Sequence, residues 1–148
     1  MKVVIADDSA EIRKRIIEML SDIEKVDVIG QAENVPEAIE KISEFNPDVV
    51  ILDIRMPGGN GIDVLKKIEK RNRLPVVIML TNYPSSQYRK KCIGSGADFF
   101  LDKSHEFEKV VEIVNCMSVG RILNGRKEDK KKKHIDRGMD YSEETVSF

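Results

Sequence analysis

A chain of 148 residues, 41% hydrophobic and 34% charged, is long enough for one soluble domain with a sound core and a short extension. Lysine plus arginine number 25 against 26 aspartate plus glutamate, a formal net charge of -1, which gives no global case for binding nucleic acid or an anionic membrane. No apolar run approaches membrane-spanning length, and the N-terminal MKVVIADDS is too short in its apolar part for a signal peptide. Cys92 and Cys116 have no metal or redox spacing, so idle thiols in a reducing cytoplasm are expected.

Lys2 to Ala6 predicts a buried strand ending on Asp7 and Asp8. Ile12, Ile16, Met19, Leu20 and Ile23 then recur at helical spacing among charged residues. Val26 to Ala32 reads as a second strand, whose partial alternation suits a sheet edge. Asn34 and Pro36 start a helix carrying Ala38, Ile39, Ile42 and Phe45, and Asn46-Pro47 ends it.

Val49 to Leu52 is an unbroken, mostly β-branched run that delivers Asp53 to a loop broken by Pro57, Gly58, Gly59 and Gly61. A helix follows from about Asn60, with Ile62, Leu65 and Ile68 inward. Val76 to Leu80 is a fourth buried strand ending on Thr81. A weakly amphipathic helix with Tyr88, Cys92 and Ile93 comes next, and Gly94 and Gly96 terminate it. Ala97 to Leu101 reads as the fifth strand, followed by Asp102, Lys103 and Ser104. Ser104 is the expected N-cap of a last helix that carries Phe107, Val110, Val111, Val114 and Met117 and ends at Asn124-Gly125. Residues 125–148 pass from a lysine run to acidic residues and are too polar to hold a fold, so a domain over 1–124 with a charged, disordered tail is expected.

Five alternations of buried strand and helix with short loops predict an α/β fold, a doubly wound parallel sheet with right-handed crossovers. The second strand by its alternation and the fifth by being last read as edges, which the flavodoxin-like order 2-1-3-4-5 satisfies. In that order strands one and three are neighbours, so Asp7, Asp8 and Asp53 converge at the carboxyl edge of the sheet. Carboxylates that close repel by ~4 kcal/mol per pair at about 4 Å and an effective dielectric of about 20, so the cluster needs a cation. All-oxygen ligands with room for water favour Mg²⁺ over Zn²⁺. Thr81 and Lys103, on the same edge, offer a hydroxyl and an ammonium to phosphoryl oxygens.

This set, with MPGGNG after Asp53 and GADFFLDKS before the last helix, resembles the receiver domain of bacterial two-component response regulators over roughly residues 1 to 123. The stretch NYPSSQYRKKCIGSGADFFLDKS is similar to receivers of the nitrate-regulator (LuxR-type) subfamily. The resemblance implies a flavodoxin-like (βα)5 fold and a phospho-accepting switch. Asp53 takes a phosphoryl group from a sensor histidine kinase or phosphotransfer protein; Asp8, Asp53 and the Arg55 carbonyl hold Mg²⁺ directly and Asp7 mainly through water; Thr81 and Lys103 hold phosphoryl oxygens. It further implies Thr81 and Phe100 as the switch pair, and an output through the surface of the fourth helix, fifth strand and fifth helix. Such a chain is expected to be a monomer or a phosphorylation-linked homodimer, with no membrane contact, no direct DNA binding and a protein partner as output.

Residue by residue, plainer readings stand beside these. Asp8 or Ser9 caps a helix, Thr81 is a turn hydroxyl, Lys103 a surface charge, and one of Phe99 and Phe100 is core. His105 and His134 are isolated. Asn82 after Thr81, and Ser104 after Lys103 where many relatives carry proline, depart from the common pattern; the isomer of the Lys103–Ser104 bond stays open. Arg55 and Tyr83 stand at the two positions linked to phosphate lifetime, and their bulk predicts slow loss. The rival classes are a phosphorylation-independent adaptor, a transcription-regulator remnant without its DNA-binding domain, and an aspartate-nucleophile phosphatase. The last lacks a second acid two residues after Asp53, and a flavin site lacks a phosphate cradle in the acidic first loop.

Overall fold

In the computed structural model the described residues are 1–120. Five parallel strands form one sheet: β1 (Lys2–Ala6), β2 (Asp27–Ala32), β3 (Val49–Leu52), β6 (Val76–Thr81) and β7 (Phe99–Asp102). Their order is β2-β1-β3-β6-β7, the flavodoxin-like order of the sequence reading with the second and last sheet strands at the edges. Five helices alternate with them: α1 (Ala10–Leu20), α2 (Val35–Phe45), α3 (Gly61–Glu69), α4 (Ser86–Gly94) and α5 (Lys109–Ser118).

Alternation along each strand divides the core in two. Val4, Ala6, Val50, Leu52, Val77, Met79 and Phe100 face one way and pack on α2, α3 and α4. Val3, Ile5, Val49, Ile51, Val76, Ile78, Leu80, Phe99 and Leu101 face the other way and pack on α1 and α5. Both faces of the central strands are therefore dry, which is why those strands read as continuous apolar runs rather than alternating ones.

The helix starts follow local chemistry. Ser9 caps α1 by accepting from Ile12 N, and Asn34 caps α2 by accepting from Glu37 N at 2.8 Å with Pro36 in the first turn. Asn60 and Asp63 form a reciprocal capping box at α3.

Four expectations shift. The second strand starts at Asp27, whose N–H donates to the Met1 carbonyl. The last strand starts at Phe99 because Asp98 bonds Val77 through its carboxylate as well as its backbone, ahead of the ladder. Ser104 does not cap the last helix: the Asp102 carboxylate accepts Ser104 N at 2.8 Å, turning residues 103–108 into a loop, and α5 begins at Lys109. That helix ends at Ser118, with Gly120 at φ 82, short of the expected Asn124-Gly125; that pair and the charged tail lie outside the described residues. Among the described residues no peptide bond is cis, so Lys103–Ser104 is trans. No helix among them is long and apolar enough to cross a membrane.

Candidate phosphoryl-acceptor site

The carboxyl ends of β1, β3, β6 and β7 lie side by side, and their chain continuations build the site. Asp7 follows β1, and its N–H donates to Ala32 O at 2.9 Å on β2. Asp53 follows β3 and is tied to β1 through the Ala6 carbonyl at 2.9 Å. Both are buried, at 3% and 6% exposure, while Asp8 stands in solvent. One carboxylate oxygen from each of Asp7, Asp8 and Asp53 lies within 4.8 Å of the others.

Lys103 reaches into this cluster from the end of β7, only 9% exposed. Its Nζ lies 2.6 Å from Asp7 Oδ2 and 3.1 Å from Asp53 Oδ2. The other oxygen of Asp53 accepts Ile54 N at 2.7 Å. Burial raises the Asp53 carboxyl above its usual range, and the Asp7 charge adds to this while Lys103 opposes it. For Lys103, burial works against the ammonium, but the hydrogen bond to Asp7 and the charges of Asp53 and Asp7 outweigh it and raise its value. One ammonium for three carboxylates leaves the cluster with excess negative charge.

Thr81 ends β6 fully buried, and its Oγ1 accepts Tyr83 N at 2.9 Å, which leaves the hydroxyl proton able to donate elsewhere. Arg55 stands on a two-stranded ribbon, β4 (Arg55–Met56) and β5 (Gly59–Asn60), where the sequence predicts only a loop. Its guanidinium sits 4.0 Å from the Tyr83 ring centroid, and contact with Tyr88 and Tyr83 raises its pKa further. A cleft of about 500 Å³ opens beside Asp8, walled by Arg55, Met56, Asn60 and Tyr88. Phe99 and Phe100 are both buried, on opposite faces of the sheet, so both are core in this conformation. Arg89 donates to the Phe100 carbonyl at 3.4 Å, with its guanidinium 6.0 Å from that ring.

Residues 3–115 match the family model of the response regulator receiver domain. The chain belongs to this family. The receiver is 32% identical over 146 residues to the transcriptional regulatory protein LnrK of Bacillus subtilis, covering 92% of this chain and 66% of LnrK. A LuxR-family DNA-binding response regulator from Staphylococcus aureus superposes with a TM-score of 0.71 at 31% identity, over 77% of the receiver and 95% of that chain. A chain of the CheX-CheY-BeF3-Mg complex from Borrelia burgdorferi does so with 0.71 at 33% identity, over 80% and 88%.

Of the site residues expected from the sequence, Asp7, Asp8, Asp53, Arg55, Thr81 and Lys103 stand at or just after strand ends along one sheet edge, and Phe100 lies in the core below it; His134 lies outside the described residues. His105 lies away from the cluster, exposed, with Nδ1 2.9 Å from Asp102 Oδ2. Cys92 is buried, its thiol pushed up to about 12, and inert. Gly61 has a part in the site that the sequence pattern does not predict. Gly61 N donates to Ile54 O, and a Cβ on Gly61 would overlap the Asp53 carbonyl oxygen. Its place among four breakers after Asp53 was visible; the need for its hydrogen was not.

Proposed function

We propose that this receiver is the phospho-accepting switch of a two-component phosphorelay, with Asp53 as the acceptor. The observation that carries the reading is the convergence of Asp7, Asp8 and Asp53 on the buried Lys103 ammonium at one sheet edge.

An oxygen of Asp53 attacks the phosphorus of a phosphohistidine on a sensor histidine kinase or phosphotransfer protein. The O–P bond forms as the P–N bond breaks, the electron pair leaves on the imidazole nitrogen, and Asp53 becomes an aspartyl phosphate. Lys103, already beside Asp53, passes to the phosphoryl oxygens, and Thr81 donates its free hydroxyl proton to them. These side chains position and neutralise; no proton need move on Asp53 once it is ionised.

The donor set also suits a hard cation: three carboxylates, no sulfur or imidazole, one of them open to solvent. Asp7, Asp8, Asp53 and the Arg55 carbonyl would hold Mg²⁺, which when bound supplies the positive charge that Lys103 alone does not.

The output is a two-state equilibrium. Thr81 leaves Tyr83 N for the phosphate, and Phe100 is held in the inward position seen here, which resets the surface of α4, β7 and α5. That surface meets a protein partner, or a second copy as a phosphorylation-linked dimer, in the cytoplasm. The receiver unit runs to about residue 124, with the charged segment from 125 on a separate tail. No substrate is turned over beyond gain and loss of phosphate at Asp53.

Labelling with acetyl phosphate and Mg²⁺ tests this by intact mass. The wild type gains one phosphate and Asp53→Asn gains none. Labelling that persists in Asp53→Asn would sink the assignment. A wild type that takes no phosphate from acetyl phosphate or from any phosphohistidine donor, yet still captures its partner, would favour the adaptor.

A further inference from the structure

The backbone of Asp7 is held by a residue with no part in the scheme above. The sheet ladder stops at Ala6, paired with Ala32 on one side and Leu52 on the other. Asp7 is the next residue, buried, so its carbonyl needs a partner beyond the ladder. Arg13 provides it. Its Nη1 donates to the Asp7 carbonyl at 2.6 Å, and its Nε donates to Gln31 Oε1 at 3.1 Å on β2.

The path follows from helix geometry. Arg13 lies in the second turn of α1, where a long side chain runs back toward the helix start and so toward the end of β1. The guanidinium thus fastens α1, the exit of β1 and the edge strand β2 at one point. It takes up none of the carboxylate oxygens: those of Asp7 go to Ser9 N at 2.9 Å and to Lys103 at 2.6 Å. A guanidinium suits this task better than an ammonium, because it offers two donors at fixed angles and stays charged.

We infer that Arg13 is a positioning residue for the acidic site: by fixing the Asp7 backbone it aims the Asp7 carboxylate at Lys103 and at a bound Mg²⁺. The inference deepens the reading of the cluster as a cation site and rests on it for the metal part only. In the free protein Arg13 holds the Asp7–Lys103 pair whether or not a metal ever binds.

The competing role for a cation here is plain electrostatics, and it has the opposite sign. A positive charge near the cluster repels Mg²⁺, so its removal tightens binding. Loss of a positioning contact behind a ligand weakens binding, by about tenfold at the lower end of what such contacts are worth.

The experiment is Mg²⁺ titration by calorimetry on the full chain, for wild type, Arg13→Ala, Arg13→Lys, Gln31→Leu, Asp7→Asn and the double variant Arg13→Ala/Asp7→Asn. Positioning predicts weaker binding in Arg13→Ala, nearly as large a loss in Arg13→Lys, and a smaller one in Gln31→Leu. It also predicts little further loss when Arg13→Ala is added to Asp7→Asn, because the residue acts through Asp7. Tighter binding in Arg13→Ala with Arg13→Lys unchanged overturns the inference, as does full additivity in the double variant. If Arg13→Ala does not fold, the lysine and Gln31 variants decide alone.

A second readout needs no metal. The Lys103 ammonium, followed by ¹⁵N NMR in Mg²⁺-free protein, is expected to lose its protected signal in the Arg13 variants. A wild type that binds no Mg²⁺ removes the cation site but leaves this second readout to judge Arg13. An unchanged Lys103 signal in the Arg13 variants overturns the inference even where Mg²⁺ binds.

Discussion

The helices α3 and α4 flank the site from neighbouring strand exits and have nine residues each, yet they are held very differently. Of α3, Gly61, Ile62, Val64, Leu65 and Ile68 are buried, and its first turn is closed by the Asn60–Asp63 capping box. Of α4, only Cys92 is buried, and its start rests on one bond from Tyr88 N to Ser85 Oγ at 3.1 Å. Apolar burial is what holds a short helix in place, since helices this short have little stability of their own. Asp53, the proposed acceptor, therefore precedes the firmly packed helix, and Thr81 precedes the weakly packed one. A phosphoryl site needs its nucleophile fixed, and a switch needs its responding side to move.

The firm side is broken most severely at Gly61. A Cβ there meets the Asp53 carbonyl oxygen and the Ile54 backbone, which cannot swing away as a side-chain tip would. Gly61→Ala is expected to displace Asp53 and lower the rate of acetyl phosphate labelling by about a hundredfold, the scale that an ångström of misplacement costs. A labelling rate within a few-fold of wild type would show that Asp53 is not held through this contact.

Packing gives the next contrast. Leu65→Ala on α3 is expected to cost about 2–5 kcal/mol in chemical denaturation, and Cys92→Ala on α4 about 1 kcal/mol, because less is removed and its helix relaxes more freely. Amide exchange should follow the same order, with α4 protons exchanging well before those of α3. Equal protection in the two helices would remove the mechanical difference on which the switch reading depends.

Much of this was legible because it depends on pattern. Val49–Leu52 and Val76–Leu80 read as buried strands because both faces of the sheet are covered, and strand ends in a parallel sheet share one edge wherever the helices fall. What escaped depends on distances the sequence does not encode. Ser104 has the chemistry of an N-cap, but the Asp102 carboxylate took its N–H first and moved the helix start to Lys109. The β4–β5 ribbon pairs only two residues on each side, too few for any periodicity to mark. Arg13 looked like one more charge between apolar helix positions, and only the fold shows which carbonyl it reaches.

A titration separates the charge of the firm side from its packing. The folded Asp53 carboxyl is raised above its usual value, chiefly by burial. A group raised on folding lends stability below its unfolded value and loses it as pH rises through the folded one. Wild-type thermal stability in Mg²⁺-free buffer should therefore decline across the interval just above the ordinary carboxylate range. Asp53→Asn should lack that decline and be the more stable protein above it. Parallel curves for the two proteins would mean that Asp53 ionises without penalty and that the cluster is better neutralised than its geometry shows.

The smallest effect expected lies on the weakly packed side, where Arg55 covers the Tyr83 ring at 4.0 Å. Both side chains are exposed, so the contact is weak and salt-screened, and it adds little to stability. Its position matters more than its strength, since it bridges the loop after Asp53 and the loop after Thr81. On the proposed reading of Asp53 as acceptor, the pair would shield an aspartyl phosphate from water. Arg55→Ala and Tyr83→Ala should each shorten the phosphate lifetime a few-fold, measured as decay of labelled protein after acetyl phosphate is removed. Because either residue is useless as a cover without the other, the double variant should decay no faster than the faster single one. Additive single effects would mean two separate shields, and unchanged lifetimes would leave burial of Asp53 alone to protect the phosphate.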